Sequence, residues 1–279
     1  MKRWKDRIEV STIYIIILIM FTIIIYPLLW TFGMSLNPGS SMYSATMIPD
    51  NWSFTHYEWL FFDPASNYVT WYKNSLMVAV ANSFFSVLTA ALVAYAFSRY
   101  RFVGRKNGLY VLLILQMFPV LMGMVALFIL LNFINMLDSL VGLTLIYIGG
   151  SIPFQAWLVK GYFDTISKDL DDAARIDGAG HLRVFFTIML PLAKPILAVV
   201  ALFEFMAPFM DFLLPRIVLR SAENYTLALG LFNMVNNQFA NNFTTFAAGA
   251  ILIAVPIAAI YLFLQRYLIA GLAQGGTKG

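Results

Sequence analysis

Six stretches of the chain, roughly 12–32, 74–97, 109–131, 140–159, 196–214 and 245–265, are each apolar over about the length an α-helix needs to cross a bilayer. In hydrocarbon every backbone N–H and C=O has to be satisfied within the segment, so such runs are read as helices. The predicted fold class is therefore an all-α membrane protein with six transmembrane helices, in a single transmembrane domain over residues 1–279. Only 11% of the residues are charged, less than half the roughly 25% of soluble domains, which excludes a water-soluble fold. The first run follows a basic stretch, as a signal peptide would, but its apolar part is too long and lacks a small-residue cleavage pattern. Pro27, Pro119, Pro153 and Pro256 lie inside these runs and predict kinked helices packed in a bundle.

The placement of the cations orients the spans. Lys2, Arg3, Lys5 and Arg7, then Arg99, Arg101, Arg105 and Lys106, then Lys160, Lys168, Arg175, Arg183 and Lys194, and lastly Arg266 and Lys278 all fall on one side. That side holds fifteen of the eighteen Lys and Arg; Lys73, Arg216 and Arg220 fall on the other. By the positive-inside rule both termini lie in the cytoplasm. Of the outer segments, 33–73 carries Trp52, Trp59, Phe61, Phe62 and Trp71 and is expected along the headgroup boundary, 132–139 is a short turn, and 215–243 is rich in Asn.

Enzyme chemistry finds no support. Without cysteine there is neither a disulfide framework nor a thiolate site, and His56 and His181 stand isolated and are expected at the surface. No H-E-x-x-H, G-x-S-x-G or paired-carboxylate arrangement occurs. No catalytic residue, metal site, cofactor or nucleic-acid partner is assigned to this chain. A membrane-embedded enzyme is disfavoured by these absences, and a secondary transporter powered by an ion gradient is one reading left open. Ion coupling requires buried ionisable groups, and Glu204, about nine residues into the fifth run, is the only candidate near mid-bilayer. Asn82, Gln116, Asn132 and Gln155 could bond hydroxyl groups of a solute or neighbouring helices, the latter being the commoner use.

The connection between the fourth and fifth runs, about 163–194, is patterned too regularly for a plain linker. Ser167 can cap a helix whose first turn carries Asp169, Asp171 and Asp172, acids favoured at the positive end of the helix dipole. Leu170, Ala173 and Ala174 share one face, and the i, i+4 spacing pairs Asp171 with Arg175. Gly178 is placed as a C-terminal cap, and a second amphipathic helix with Leu182, Phe185, Phe186 and Met189 follows, stopped by Pro191. A short rigid helix with small residues on its face suits docking into a groove, though a surface helix-turn-helix that merely joins two spans has the same pattern.

The run Asp172-Ala173-Ala174, three residues, Gly178, nine residues, then Ile188-Met189-Leu190-Pro191 resembles the EAA loop of binding-protein-dependent ABC importer permeases. The resemblance extends over nearly the whole chain, and Phe209 to Pro215, Tyr225-Thr226-Leu227 and the ending Gly271 to Gly279 are similar to the carbohydrate-uptake branch, in particular its smaller (G-type) maltose/maltodextrin permease subunits. Asp172 departs from the usual Glu by one methylene, and Ser167 stands where relatives often have Pro.

The resemblance implies a type I importer permease in the bacterial cytoplasmic (inner) membrane. It would carry maltose, maltodextrin or a related oligosaccharide, with glycerol phosphate the alternative solute. The implied partners are a larger homologous permease, two copies of an ATPase subunit holding ATP and Mg, an extracytoplasmic sugar-binding protein, and membrane lipid. This chain has no G-x-x-x-x-G-K-[ST] run, so the phosphate cradle has to come from the ATPase. Asp172, Ala173, Ala174, Asp177, Gly178, Ile188, Leu190 and Pro191 would then couple to the ATPase. In the tail, about 269–279, Gln274, Gly275, Gly276 and Lys278 would reach the ATPase interface. Glu204 and Asp211 would line the translocation path or its outer gate, and Tyr225, Asn236 and Asn237 would touch the binding protein.

Overall fold

The computed structural model describes residues 2–40, 46–236 and 242–275, and among these there is no strand. In chain order the helices are α1 (Lys2–Ser35), α2 (Thr55–Phe62), α3 (Tyr68–Arg99), α4 (Gly108–Gln116), α5 (Val120–Phe133), α6 (Leu140–Phe163) and α7 (Asp169–Ile176). They continue with α8 (His181–Val184), a π-helical stretch Phe185–Met189, α9 (Leu190–Leu192), α10 (Lys194–Met210), α11 (Leu213–Val218), α12 (Leu227–Val235) and α13 (Phe243–Gly275).

Among the described residues four helical segments are long and apolar enough to cross a membrane unaided: Glu9–Ser35, Tyr68–Arg99, Leu140–Phe163 and Phe243–Tyr267. The count reaches six if each of two bent pairs forms one span. The third expected span is broken rather than kinked, α4 and α5 meeting at 100°. Pro119 supplies the reason: it takes an extended ψ of 120° as the residue before α5, and a proline disfavours helix in the residue that precedes it. The fifth expected span also differs. Its helix α10 ends at Met210, Asp211 being extended, and at its start it bends by 81° from the His181–Leu192 arm.

Pro191 does not stop that arm. The helix runs through it and turns two residues later at Ala193, and just before it the ladder widens, with the Leu190 N–H donating to Phe185 O. A proline near the start of a new helical turn forfeits no bond that the turn would have made.

The contacts divide the chain into two compact units, Met1–Val69 with Leu231–Ala254, and Thr70–Gly230 with Val255–Gly279. In the first, the described side chains from Glu9 to Ile24 of α1 are all exposed, as suits a helix whose solvent is lipid. His56 is buried there, contrary to the surface expectation. Its Nε2 donates to Asn37 O at 2.8 Å, since a carbonyl can only accept, and its Nδ1 lies 2.8 Å from Thr245 Oγ1.

The second unit is layered. At the basic end Ala91, Ala94 and Tyr95 of α3 pack with Val159 and Phe163 of α6, Phe185 and Met189, and Ala193 and Val200. At the other end Val78, Leu131, Leu143, Leu214, Val218 and Leu229 form a second core. Trp71 sits within α3, mostly buried, not in a headgroup loop. Its indole N–H donates to Ala222 O at 2.7 Å, and its ring lies where a Cβ on Gly230 would be, 2.1 Å away. Only glycine permits that approach.

Candidate functional site

Helix α7 is built locally. Ser167 Oγ accepts from the Asp169 N–H at 3.2 Å and donates to Asp169 Oδ2 at 2.9 Å, although the helix begins one residue later than expected, after Lys168. At its end Gly178, with φ of +80°, donates to Arg175 O, and Ala179 donates to Ala174 O at 2.9 Å, an ending that needs a residue at ease in the left-handed region. Asp172, Ala173, Ile176 and Asp177 are exposed with Leu170, while Ala174 packs against the basic-end core. The apolar face Leu170–Ala173–Ile176 is thus open, and Ile176 is 86% exposed.

Asp171 is the exception, with a side chain only 4% exposed, and it pairs with Arg99 at the end of α3 rather than with Arg175. Arg175 approaches His181 Nδ1 instead, and His181 is exposed as expected. The reason is reach. Arg99, itself 2% exposed, donates to Phe163 O at 3.1 Å and Ile166 O at 3.0 Å, so its guanidinium already fills the place that Asp171 faces.

Beside it Ser98 Oγ donates to Asp164 Oδ1 at 2.7 Å, and Lys160 Nζ lies 2.5 Å from Asp164 Oδ2. Burial alone would raise the Asp164 pKa, but these two hydrogen bonds and the charges of Lys160 and Arg99 hold it below the ordinary carboxylate value. Ile188 and Leu190, half-buried against the same core, fix the second arm, while Pro191 is exposed.

Glu204 is buried on α10. Gln155 Nε2 donates to its Oε1 at 2.7 Å, and Asn82 Nδ2 donates to its Oε2 at 3.0 Å and to its backbone oxygen at 2.8 Å. Ser86 Oγ in turn donates to Asn82 Oδ1, and Ser151 Oγ donates to Ser86 Oγ. The group joins α3, α6 and α10. Gln116 likewise bonds a neighbouring helix, through Gly150 O.

Asp211 accepts the Tyr147 hydroxyl at 3.0 Å and the Leu213 N–H at 2.8 Å, so it anchors α6 to the start of α11. Nearby is a clasp that spacing did not reveal. Asp138, at φ of 56°, accepts from the backbone N–H groups of Arg220 and Ser221 and from the Ser221 hydroxyl, while Asn224 Nδ2 donates to Asp138 O. Burial opposes the charge, but these hydrogen bonds prevail and lower the Asp138 pKa to about 2. The available signal was an Asp in a tight turn, a residue type that tolerates positive φ.

Tyr225 donates to Arg220 O and packs on the second core, that of Val78 and Leu143. Asn236 is exposed in the first unit. Asn237, Gly276 and Lys278 lie outside the described residues, and Gln274 and Gly275 are the last two residues of α13.

Several known proteins are similar to this chain over nearly its whole length. The galactooligosaccharides transport system permease protein GanQ of Bacillus subtilis (strain 168) is 48% identical over 267 residues, covering 95% of this chain and 94% of its own. The maltodextrin transport system permease protein MdxG of the same organism is 45% identical, with 95% of each chain covered. The maltose/maltodextrin permease protein MalG of Escherichia coli (strain K12) is 34% identical, covering 100% of this chain and 98% of its own. The crystal structure of a bacterial ABC transporter involved in the import of the acidic polysaccharide alginate contains a chain of the same fold. Its TM-score is 0.77 at 24% identity, covering 94% of this chain and 97% of that one. Residues 84–274, which include α7, its Arg99 anchor and Glu204, match the family model itself, and the chain belongs to the binding-protein-dependent transport system inner membrane components.

Proposed function

We propose that the chain is one permease subunit of an ATP-driven, binding-protein-dependent sugar importer of the bacterial inner membrane, taking maltodextrins or related oligosaccharides such as galactooligosaccharides. In this reading it has six spans with both termini in the cytoplasm. It pairs with a larger permease, two ATPase subunits that bind ATP and Mg, and an extracytoplasmic binding protein. The names of the relatives favour the solute class. The observation that carries the mechanism is α7, whose open Leu170–Ala173–Ile176 face is backed by the buried Asp171–Arg99 pair.

A docked ATPase subunit that moves α7 moves the end of α3 through Arg99, and through Phe163 O and Ile166 O the end of α6. The Glu204 group makes α3, α6 and α10 shift together. Rigid-body rocking of this kind turns a local push into alternating access without bond chemistry in the permease. Asp172 and Asp177, exposed beside the apolar face, are placed to meet cations of the ATPase.

The test is ATP hydrolysis by the purified complex, supplied with binding protein and either maltodextrin or galactooligosaccharide. Stimulation by one of them, abolished in Ala173→Arg, is the expected result. Uptake that survives ATP depletion and collapses with an ionophore overturns the proposal.

A further inference from the structure

At the basic end of the second unit a cleft of about 1130 Å³ opens between the 101–110 connection and the last turns of α6. Its polar wall carries Arg101, Arg105, Lys106 and Lys160 against the single carboxylate of Asp164. Lys160 is engaged by Asp164, and Arg105 donates Nε to Phe97 O at 2.9 Å and Nη2 to Ser98 O at 2.7 Å. Arg101 and Lys106 have no hydrogen bond or ion pair among the described residues and line the rim. Two cations are left for a ligand.

The rest of the wall is apolar. Trp157 and Tyr110 present rings that are 42% and 58% exposed, and Leu109 and Ile196 lie beneath. A hydrated soluble anion gains nothing from such a wall. A phospholipid satisfies both sides, its phosphate on the cations and its glycerol and upper acyl carbons on the rings. The depth agrees, because the cleft sits where α3 has just ended and α6 is about to end, the level at which aromatic and basic residues meet headgroups.

We propose that this cleft is a binding site for an anionic phospholipid of the phosphatidylglycerol type, held by Arg101 and Lys106 at the rim and by Trp157 and Tyr110 along the wall. The site rests on the orientation proposed above only for naming the cytoplasmic leaflet, and not on the sugar or the ATPase.

The assembled complex, stripped of lipid and titrated with dioleoylphosphatidylglycerol or dioleoylphosphatidylcholine, is read by native mass spectrometry. The wild type is expected to hold one phosphatidylglycerol more tightly than any phosphatidylcholine. The Arg101→Gln/Lys106→Gln double variant should hold it roughly thirtyfold more weakly, the loss of two surface charges. A Lys73→Gln/Arg220→Gln control should match the wild type. Equal loss in the control, or no loss in the double variant, overturns the site. Release of the lipid by millimolar inorganic phosphate would make it a soluble-anion site and overturn the lipid assignment. Because binding is read directly, sugar-stimulated ATP hydrolysis in the same preparation reports separately on the transport reading.

Discussion

Arg99 and Asp171, 72 residues apart in the chain, form an ion pair whose side chains are 2% and 4% exposed. The pair is the covalently remote link between α7 and the spans it would move. A buried ion pair adds little net stability, yet removing one partner strands the other charge.

Asp171→Ala is therefore expected to destabilise the subunit by about 3–5 kcal/mol, the usual cost of orphaning a buried charge. Exposed Asp172→Ala should cost no more than about 0.5 kcal/mol. Thermal melts of the two variants in detergent check the contrast. An Arg99→Met/Asp171→Leu double variant should recover much of the stability and still lose sugar-stimulated ATP hydrolysis, separating packing from transmission.

Glu204→Gln should leave uptake within about twofold of wild type. Among the described residues Gln155 Oε1 has no partner, so a flip of that amide lets it accept from the amide introduced at position 204. Glu204→Leu leaves the Asn82 and Gln155 amides without the carboxylate and should lose roughly 0.6 kcal/mol for each interhelical bond. Loss of uptake in Glu204→Gln with an unchanged melting temperature would instead assign the carboxylate to the transport path.

Asp138 makes its clasp acid-sensitive. Its folded pKa of about 2 lies below the ordinary value of 3.8, so its contribution is full above that ordinary value and is lost as the pH falls toward 2. The melting temperature of the wild type should drop across that window more steeply than that of Asp138→Asn, which can keep the turn but not the charge. Parallel slopes would remove the clasp as a source of acid sensitivity.

Gly178→Ala places a side chain at φ of +80° and should cost about 1 kcal/mol at the end of α7, with partial loss of stimulated ATP hydrolysis. Gly178→Pro, which cannot adopt that angle, should abolish stimulation while the complex still assembles. Co-purification of the ATPase with each variant is the accompanying measurement.

Much of α7 was legible because its signals are local: acids in the first turn, a serine before them and a glycine after. The same locality misled at Asp171, since i, i+4 spacing offers Arg175 and says nothing of Arg99. His56 read as solitary because its partners, Asn37 and Thr245, are distant in sequence. At Pro119 and Pro191 the residue type was visible, but whether the chain kinks, breaks or runs through depends on the packing around it.

By itself the sequence determined that this chain lives in a bilayer and where its apolar runs and its clusters of cations fall along the chain, because apolar length and charge placement act residue by residue. Only the tertiary structure decided which acid of α7 is buried, which amides hold Glu204, and that two rim cations share a cleft with exposed aromatic rings. Those are relations between helices, and the free energy of a buried charge depends on what another helix brings within reach of it.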